Sequence, residues 1–572
     1  MPHNRDRILS RRDLDFLLFD WLDVGSLTTR KRFAEHSCET FDAMLGLAAD
    51  IASAWFAPHN KRNDAEEPHL ADGRVVLHDE VGPALRAAAD AGLLSATMDE
   101  SVGGLQLPYV VDTALQAWFH AANSGTWAYA MLTVANANLL LAHGTPDQIQ
   151  RYVPAMLEGR VHGTMCLSEP QAGSSLADIT TRAEPQPDGS YRLFGTKMWI
   201  SGGDHELGEN IVHLVLAKVP GGPPGVKGIS LFLVPKYLPD GTRNDIALVG
   251  LNHKMGARGT VNTLLNFGES DGAVGHLVGG EGQGLACMFH MMNEARVGVG
   301  TGAAALAYTG YLKSLEYAKT RPQGRRPGAK DPSTPMVPIV QHADVRRMLL
   351  AQKAYAEGAL ALVLYCGLLV DEARLLLETL TPIAKSWPSQ WGPEANALAI
   401  QVHGGYGYSR EYDVEQHYRD NRLNPIHEGT HGIQAVDLLG HKVVMAGGAG
   451  LAALRARIED TVARAGDRPE ATQLQEGLDR LVEVTGIMHA HPDPEERLAN
   501  ASVYLEAAGH VVVAWLWLDQ MLATTGRNDN LARGKRAAAR YFFRFELPKV
   551  GPQLDLLASL DRTSLETDPA WL

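Results

Sequence analysis

The sequence is poor in cysteine, with only Cys38, Cys166, Cys287 and Cys366 in 572 residues. They lie far apart and form no CxxC pair, so neither a disulfide framework nor a zinc knuckle is expected, and a reducing compartment is favoured. Long apolar runs are lacking as well. The longest ones, such as residues 359–370, fall well short of the roughly 20 residues needed to cross a bilayer, so we expect no membrane span.

An excess of basic residues is also absent. The chain has 52 lysines and arginines against 66 aspartates and glutamates, a formal net charge of −14, and such a charge repels polyanions at long range. Nucleic acid is therefore not expected as a partner. Near the N-terminus, Asp6, Asp13, Asp15 and Asp20 interrupt the arginines, unlike in a signal or transit peptide, and we expect a cytoplasmic protein.

What the sequence does contain is ordinary globular composition, 45% hydrophobic and 21% charged, in a chain long enough for several domains. Apolar residues three and four apart predict helices in the N-terminal part and again after the middle, including a long pattern over 345–380. Short β-rich segments between them predict a β domain. The predicted parts are an N-terminal segment, an α-helical domain, a β domain, a helical bundle and an additional helical domain, over 1–35, 36–158, 159–282, 283–445 and 451–572.

Three groups of motifs carry residues suited to chemistry. MCLSEPQAGSS, residues 165–175, is followed by GTKMWISGG, residues 195–203. QVHGGYGYSREYDVEQHYRD and NPIHEGTHGIQ occupy residues 401–420 and 424–434. Other glycine clusters do not present GxGxxG between a strand and a helix, so a Rossmann site is not supported.

In their order and spacing, these motifs resemble the acyl-CoA dehydrogenase flavoprotein family, from about residue 60 to 445. The resemblance implies an α+β multidomain fold with an N-terminal α-helical domain, a middle β-barrel domain and a C-terminal four-helix bundle. The extra helical domain is most similar to long-form bacterial members, which include enzymes acting on 3-methylmercaptopropionyl-CoA and on fatty acyl-CoAs.

The reaction implied by the resemblance is oxidation of an acyl-CoA to the trans-2-enoyl-CoA. It needs a base at the α-carbon, a hydride acceptor at the β-carbon and donors for the thioester oxygen. The resemblance assigns the base to Glu428, and we expect burial to raise the pKa of its carboxyl group. The neighbouring Gly429 has no side chain, which lets the substrate approach the backbone closely. The competing interpretation is a polar turn in which Glu428 or Thr430 caps the next helix. Some family members place the base just before the arginine that corresponds to Arg296, but that position here is Ala295, which cannot accept a proton.

FAD is the cofactor implied by the resemblance. The resemblance implies that the turn of Met165, Leu167 and Ser168 contacts the edge of the flavin ring and that the strand residues Trp199 and Ser201 pack on the ring. It implies that Arg321 binds the pyrophosphate, that Thr430 contacts the adenosine half, and that the turn of Gln401, Gly404 and Gly405 receives the cofactor of a neighbouring subunit. Each of these residues also has an ordinary structural interpretation. Trp199 could equally be β-domain core, and two adjacent glycines often mark only a loop. A shared cofactor site implies that monomers lack FAD, and by the same resemblance the added helical domain implies a homodimer.

For the acyl-CoA substrate, the resemblance implies Ser174 near the pantetheine, with Asn293 and Arg296 on the adjacent helix. Asn293 replaces the aspartate of some relatives, and Ser175 stands where many have aspartate. The resemblance also implies electron-transfer flavoprotein as the electron acceptor. Two alternatives stay open: an acyl-CoA oxidase using dioxygen, and a non-catalytic or DNA-associated flavoprotein on the same fold.

The C-terminal part also carries a row of basic residues on one helix. Because most such faces are merely solvated, we expect a solvent-exposed face there. Its residues are Arg533, Lys535, Arg536, Arg540 and Arg544.

Overall fold

The structure is a computed structural model that describes residues 4–329, 331 and 333–572, without the side chains of residues 4, 6 and 290–293. Its described residues group into two compact units. The first, here called the helical unit, is drawn from Met1–Arg30, Pro108–Ala117 and Arg296–Leu572. The second, the mixed unit, contains Lys31–Leu107 and Trp118–Ala295.

The strands all belong to the mixed unit. They are β1 His69–Ala71, β2 Arg74–Val76, β3 Val161–Cys166, β4 Arg182–Pro185, β5 Tyr191–Ser201, β6 Asn210–Lys218, β7 Ile229–Pro235, β8 Ile246–Leu251, β9 Asn262–Phe267 and β10 Ala273–Val278. β1 and β2 form a separate hairpin, and the others run in the order β10-β7-β6-β4-β5-β9-β8, with β3 beside β6. Because β10 pairs with β5 as well as with β7, the sheet closes on itself. The predicted middle β-barrel is confirmed.

β6 shows why this segment forms a central strand. Its residues 211–217 are all buried, and alternate side chains point to opposite faces. Val212, Leu214 and Leu216 pack in a core with residues of the preceding helices, whereas Val215 and Ala217 pack in the barrel core. A continuous apolar run is therefore needed, because both faces are covered.

The helices are α1 Arg11–Asp15, α2 Cys38–Ile51, α3 Asn60–Ala65, α4 Val81–Asp90, α5 Tyr109–His143, α6 Pro146–Leu157, α7 Gly284–Thr320, α8 Ala343–Glu372, α9 Arg374–His403, α10 Val414–Asn421, α11 His431–Asp437, α12 Met445–Ala465, α13 Pro469–Ala490, α14 Pro494–Leu498, α15 Ala501–Ala523, α16 Asn530–Tyr541, α17 Val550–Ala558 and α18 Thr563–Glu566. α8 and α9 form a helical hairpin broken at Ala373, whose φ of −147° is not helical. They pack with α10, α11 and α12 in the helical unit.

The additional C-terminal domain is helical, as predicted. Ala446, Gly447 and Gly448 have positive φ and interrupt α12 near its start. Beyond them, α13, α15 and α17 pack on one another, and α15 also packs on α8, α9 and α11 of the bundle. The appended helices therefore share a core with the bundle.

The first residues of the chain belong to the same helical unit. Nζ of Lys535 on α16 lies 2.6 Å from Oδ1 of Asp13 on α1 and 3.0 Å from Oε2 of Glu357 on α8. All three side chains are buried. The expectation that Lys535 belongs to a solvated basic face is wrong, because its ammonium group is buried inside the unit against the side chains of Asp13 and Glu357.

Two helices, α8 and α15, are long and apolar enough to pass a length and hydropathy test for membrane spans. In their most apolar windows, 89% and 83% of the residues are buried inside the protein. Core helices of a folded domain pass the same test, so their apolar character is explained by packing.

Candidate active site

The turn that carries Glu428 has an unusual backbone. Glu428 has a φ of +52° and Gly429 a φ of +87°, and for a residue with a Cβ the left-handed region costs about 1–2 kcal/mol. The positive φ favours glycine at position 429, and a Cβ there would also lie 2.6 Å from Nε2 of Gln434, whose side chain would have to move. Such strain in a folded protein is concentrated at functional sites.

Two side chains hold the carbonyl groups of this turn. Nζ of Lys385 on α9 donates to the carbonyl oxygens of Asn424 and Gly429, both at 2.7 Å. Nε2 of Gln434 donates to the carbonyl oxygen of Glu428 at 3.1 Å. The left-handed conformation is thus fixed from two helices. Neither residue was predicted from the sequence, although a lone lysine in the apolar part of α9 is a usable signal.

The Glu428 groups that chemistry would use are left free. Its carboxylate and its backbone N–H have no hydrogen-bond partner within the part of the chain that the structure describes. The side chain is accessible to solvent, in contrast to the burial expected beside bound substrate. Surrounding protein nevertheless raises the pKa of the carboxyl by desolvation, and the charges of Lys385 and Arg296 act in the opposite direction.

Thr430 is the N-cap of α11. Its Oγ1 accepts a hydrogen bond of 3.3 Å from the backbone N–H of Ile433. The capping interpretation is therefore correct for Thr430, because this contact satisfies one of the free donors at the start of the helix. Its contact with the adenosine half of a cofactor stays a prediction.

Arg296 lies on α7 and is buried, with its guanidinium 2.6 Å from the carboxylate of Asp437 on α11. Ala295 precedes Arg296 on α7 and has no group that could accept a proton. Next to it, Glu294 accepts a hydrogen bond of 3.1 Å from Asn138, both within the mixed unit. The side chain of Asn293 lies outside the described residues.

A second feature of the helical unit is a cavity of about 760 Å³, in the usual size range for small-molecule sites. Arg321, Gly404 and Gly405 line it, together with the rings of Tyr317 and Tyr406. The Arg321 guanidinium lies 5.7 Å from the centroid of the Tyr406 ring. An aromatic wall beside a cation suits a planar ring linked to phosphate.

The two glycines of this cavity have different reasons to be glycine. Gly404 has a φ of +62° at the end of α9, which disfavours any side chain. Gly405 has no such constraint, and a Cβ on it would meet nothing within 4 Å. The space in front of Gly405 therefore suits a group that approaches its backbone closely. Gln401, on the last turn of α9, is exposed.

In the mixed unit, the ring-edge turn and the Trp199 strand are joined. The backbone N–H of Met198 donates to the carbonyl oxygen of Ser168 at 3.0 Å. Met165 is the second-last residue of β3 and, like Leu167 and Ser168, is half-buried. The structure thus brings these predicted flavin contacts to neighbouring positions.

Trp199 does not belong to the barrel core. It is 57% exposed and has a φ of +65°. It occupies an irregularity in the pairing of β5 with β9, where the register shifts between Lys197 and Ile200. Bulges of this kind redirect a side chain next to a functional site, so the large ring is presented outward instead of being packed inside.

The remaining predicted residues of this unit are polar groups near the same elements. Ser201 ends β5, and its Oγ accepts a hydrogen bond of 3.2 Å from Nδ2 of Asn262. Ser174 is exposed in the loop after β3, where Ser175 donates to Asp178 at 2.7 Å. The Ser174 position leaves its hydroxyl accessible to a ligand.

Comparison with known sequence families gives consecutive matches along the chain. The matched families and residues are the acyl-CoA dehydrogenase N-terminal domain over 42–160, the middle domain over 164–268, the C-terminal domain over 282–443, and the acetyl-CoA dehydrogenase C-terminal-like domain over 454–568. The last match covers the additional helical domain.

Curated relatives match over nearly the full length. The chain is 36% identical over 535 residues to 3-methylmercaptopropionyl-CoA dehydrogenase of Ruegeria pomeroyi, covering 88% of this chain and 89% of the relative. It is 32% identical over 615 residues to a broad-specificity linear acyl-CoA dehydrogenase of Mycobacterium tuberculosis, covering 100% of both chains.

Solved structures share the fold. The structure of ACDH-11 from Caenorhabditis elegans in complex with C11-CoA matches with a TM-score of 0.80 and 17% sequence identity. The match covers 96% of this chain and 92% of that chain. An acyl-CoA dehydrogenase from Bacillus anthracis complexed with FAD has a TM-score of 0.75, with 19% identity, 94% of this chain and 90% of that chain. By its domains and by its relatives, the chain belongs to the acyl-CoA dehydrogenase family of flavoprotein oxidoreductases.

Proposed function

We propose that the protein catalyses FAD-dependent α,β-dehydrogenation of an acyl-CoA thioester to the trans-2-enoyl-CoA, with Glu428 as the catalytic base. The observation that carries the proposal is the left-handed turn at Glu428, which leaves both its carboxylate and its backbone N–H free of partners among the described residues. A strained turn held by Lys385 and Gln434 is what a preorganised base requires.

Glu428 acts on the α-carbon of the thioester. Its pKa is raised by desolvation, which brings a carboxylate closer to the range in which it removes a proton effectively. The proton passes from the substrate α-carbon to the Glu428 carboxylate. Lys385 and Arg296 oppose this rise in the pKa, because both place positive charge near the carboxylate.

The free backbone N–H of Glu428 is the donor that we assign to the thioester oxygen. Negative charge develops on that oxygen as the α-proton leaves, and a fixed N–H aimed at it lowers the barrier. The same residue thus provides a base and an oxyanion donor from one rigid turn. Gly429 completes the turn, since it admits the left-handed backbone without a Cβ.

The residues present fit FAD in both units. In the mixed unit, we propose that Met165, Leu167, Ser168, Trp199 and Ser201 contact the flavin ring. In the helical unit, the cavity beside Arg321 and the open face of Gly405 suit the phosphates and adenosine, with Gln401, Gly404 and Thr430 as further contacts. FAD, when bound, supplies the acceptor for the hydride that leaves the β-carbon.

The acyl-CoA substrate is proposed to contact Ser174, Arg296, Gly429 and Asn293. Curated relatives are named for 3-methylmercaptopropionyl-CoA and for linear acyl-CoAs, which favours an unbranched acyl chain. We further propose electron-transfer flavoprotein as the acceptor of the two electrons, and a cytoplasmic homodimer in which Gln401, Gly404 and Gly405 receive the cofactor of the neighbouring subunit.

A panel of linear and branched acyl-CoAs added to the FAD-loaded protein without oxygen tests this function. At least one linear acyl-CoA is expected to bleach the flavin absorbance and to form the 2-enoyl-CoA. Rapid peroxide formation when air is admitted would instead indicate an oxidase. No bleaching and no enoyl product with any member of the panel would contradict the proposed function.

A further inference from the structure

Lys385 is a buried cation with an unusual set of partners. It lies in α9 with no exposed surface, and burial of an ammonium group is costly unless its donors are satisfied. Two donors go to the carbonyl oxygens of Asn424 and Gly429, both at 2.7 Å. Within the described part of the chain, no carboxylate lies within ion-pair distance of its Nζ. The two hydrogen bonds of Lys385 therefore hold the backbone on both sides of Glu428.

The charged and titratable groups around this turn come from four helices. Lys385 faces it from α9 and Arg296 from α7, where Asp437 of α11 pairs with Arg296 at 2.6 Å. Burial and the charge of Lys385 both lower the pKa of His431 on α11. The Nε2 of His431 lies 4.0 Å from the Glu506 carboxylate on α15. Of these groups, only Lys385 both touches the turn and places a positive charge that acts on Glu428.

The two charges influence each other. Burial lowers the pKa of Lys385 to about 8, and the Glu428 carboxylate opposes that shift. In return, the positive charge of Lys385 opposes the desolvation that raises the pKa of Glu428. An opposite charge at close range shifts a carboxyl pKa downward by about 1 unit or more.

We propose that Lys385 is a positioning residue for Glu428, which fixes the turn through its two carbonyl contacts and sets the pH at which Glu428 becomes a base. This inference rests on the proposed function of Glu428. It explains why a lysine, and no neutral donor, stands at a position with no exposed surface. A purely structural donor would need no charge there.

The test compares Lys385→Met and Lys385→Gln, which both remove the charge, with Lys385→Arg, which keeps it. The rate of flavin bleaching by an active acyl-CoA is measured at saturation from mildly acidic to mildly alkaline pH, together with FAD content and Tm. Lys535→Met is the matched control, because Lys535 is equally buried in the helical unit but pairs with Asp13 and Glu357.

The two neutral variants are expected to move the acidic midpoint of the rate upward by about 1 pH unit, a loss of about tenfold in rate below the midpoint. Lys385→Arg should keep the wild-type midpoint. Lys535→Met should lower Tm and leave the midpoint unchanged.

Neutral variants that retain FAD and the wild-type midpoint would overturn the inference. So would failure of all three Lys385 substitutions to fold, which would assign the lysine to stability alone. Absence of bleaching in the wild-type protein would instead remove the proposed function, so the two failures are distinguishable.

Discussion

Glu169 and Lys197 form a buried ion pair with an Oε1 to Nζ distance of 2.9 Å. Lys197 also donates to the carbonyl oxygen of Leu167 at 3.0 Å, and Glu169 accepts hydrogen bonds from the backbone and hydroxyl groups of Thr180 and Thr181. Burial alone would raise the pKa of Glu169, but the lysine and these donors outweigh it and lower the pKa to about 2. The pair ties the ring-edge turn to the strand that presents Trp199.

Breaking this pair is expected to be costly. Glu169→Gln leaves Lys197 buried without its counter-charge, and loss of one partner of a buried pair costs about 3–5 kcal/mol. The variant Glu169→Gln/Lys197→Met removes both charges and is expected to lose less stability than Glu169→Gln. Urea unfolding of the wild type, the single variant and the double variant measures the differences in the free energy of unfolding. Equal loss in the single and double variants would show that the two charges are not coupled.

Trp199 provides a test that separates function from packing. Because its side chain is 57% exposed, Trp199→Ala should change the free energy of unfolding by less than about 1 kcal/mol, whereas FAD content should fall. Trp517 is fully buried in the helical unit, and Trp517→Ala is the matched control, with an expected cost of about 3–5 kcal/mol. Full FAD retention in Trp199→Ala would contradict the assigned ring contact.

Gly405 tests close approach of the cofactor to the α9 terminus. Gly405→Ala meets no atom of its own chain within 4 Å and has no positive φ, so the unfolding free energy of the cofactor-free protein should stay within about 0.5 kcal/mol of wild type. FAD binding is expected to weaken, as measured by titration of the cofactor-free protein. Gly404→Ala, at a φ of +62°, should destabilise the chain itself. Unchanged FAD affinity in Gly405→Ala would place the cofactor elsewhere.

Acid should destabilise the mixed unit through buried histidines. Burial lowers the pKa of His162 and of His213 to about 4, and that of His205 well below its usual value. In the unfolded chain these groups titrate near pH 6.5, so the unfolded state binds more protons below that pH. The contribution of these neutral histidines to the free energy of unfolding is complete above about pH 6.5. It is lost as the pH falls toward 4, by about 1.4 kcal/mol per pH unit for each histidine.

Thermal unfolding across this pH range measures the effect. His162→Gln removes one titrating group and should make the dependence of Tm on pH less steep. A Tm that stays constant between neutral pH and pH 5 would show that these histidines take up protons equally in the folded and the unfolded protein.

The sequence was sufficient for the family and the fold because motifs of fixed spacing and runs of apolar residues are local signals. The barrel segments follow from runs such as residues 211–217, where continuous burial needs continuous apolar side chains. The break at Ala373 was not predictable in this way. It falls inside an uninterrupted helical pattern, with no glycine or proline to mark it.

Long-range pairing accounts for the rest of what was missed. Lys385 reaches carbonyl groups 39 and 44 positions away, and Lys535 finds Asp13 near the other end of the chain. Neither partner is visible in the local pattern. The outward turn of Trp199 depends on a register shift between β5 and β9, which no periodicity in β5 alone reveals.

The claim that Glu428 removes the substrate proton is tested most directly by Glu428→Gln. The glutamine keeps the shape of the side chain and cannot accept the α-proton. Wild-type protein and variant, adjusted to equal FAD content, are mixed with the same acyl-CoA without oxygen, and the flavin absorbance is followed. The account predicts bleaching of the wild type and a rate about 100- to 10,000-fold lower in the variant, with FAD still bound; bleaching of the variant at the wild-type rate would contradict it.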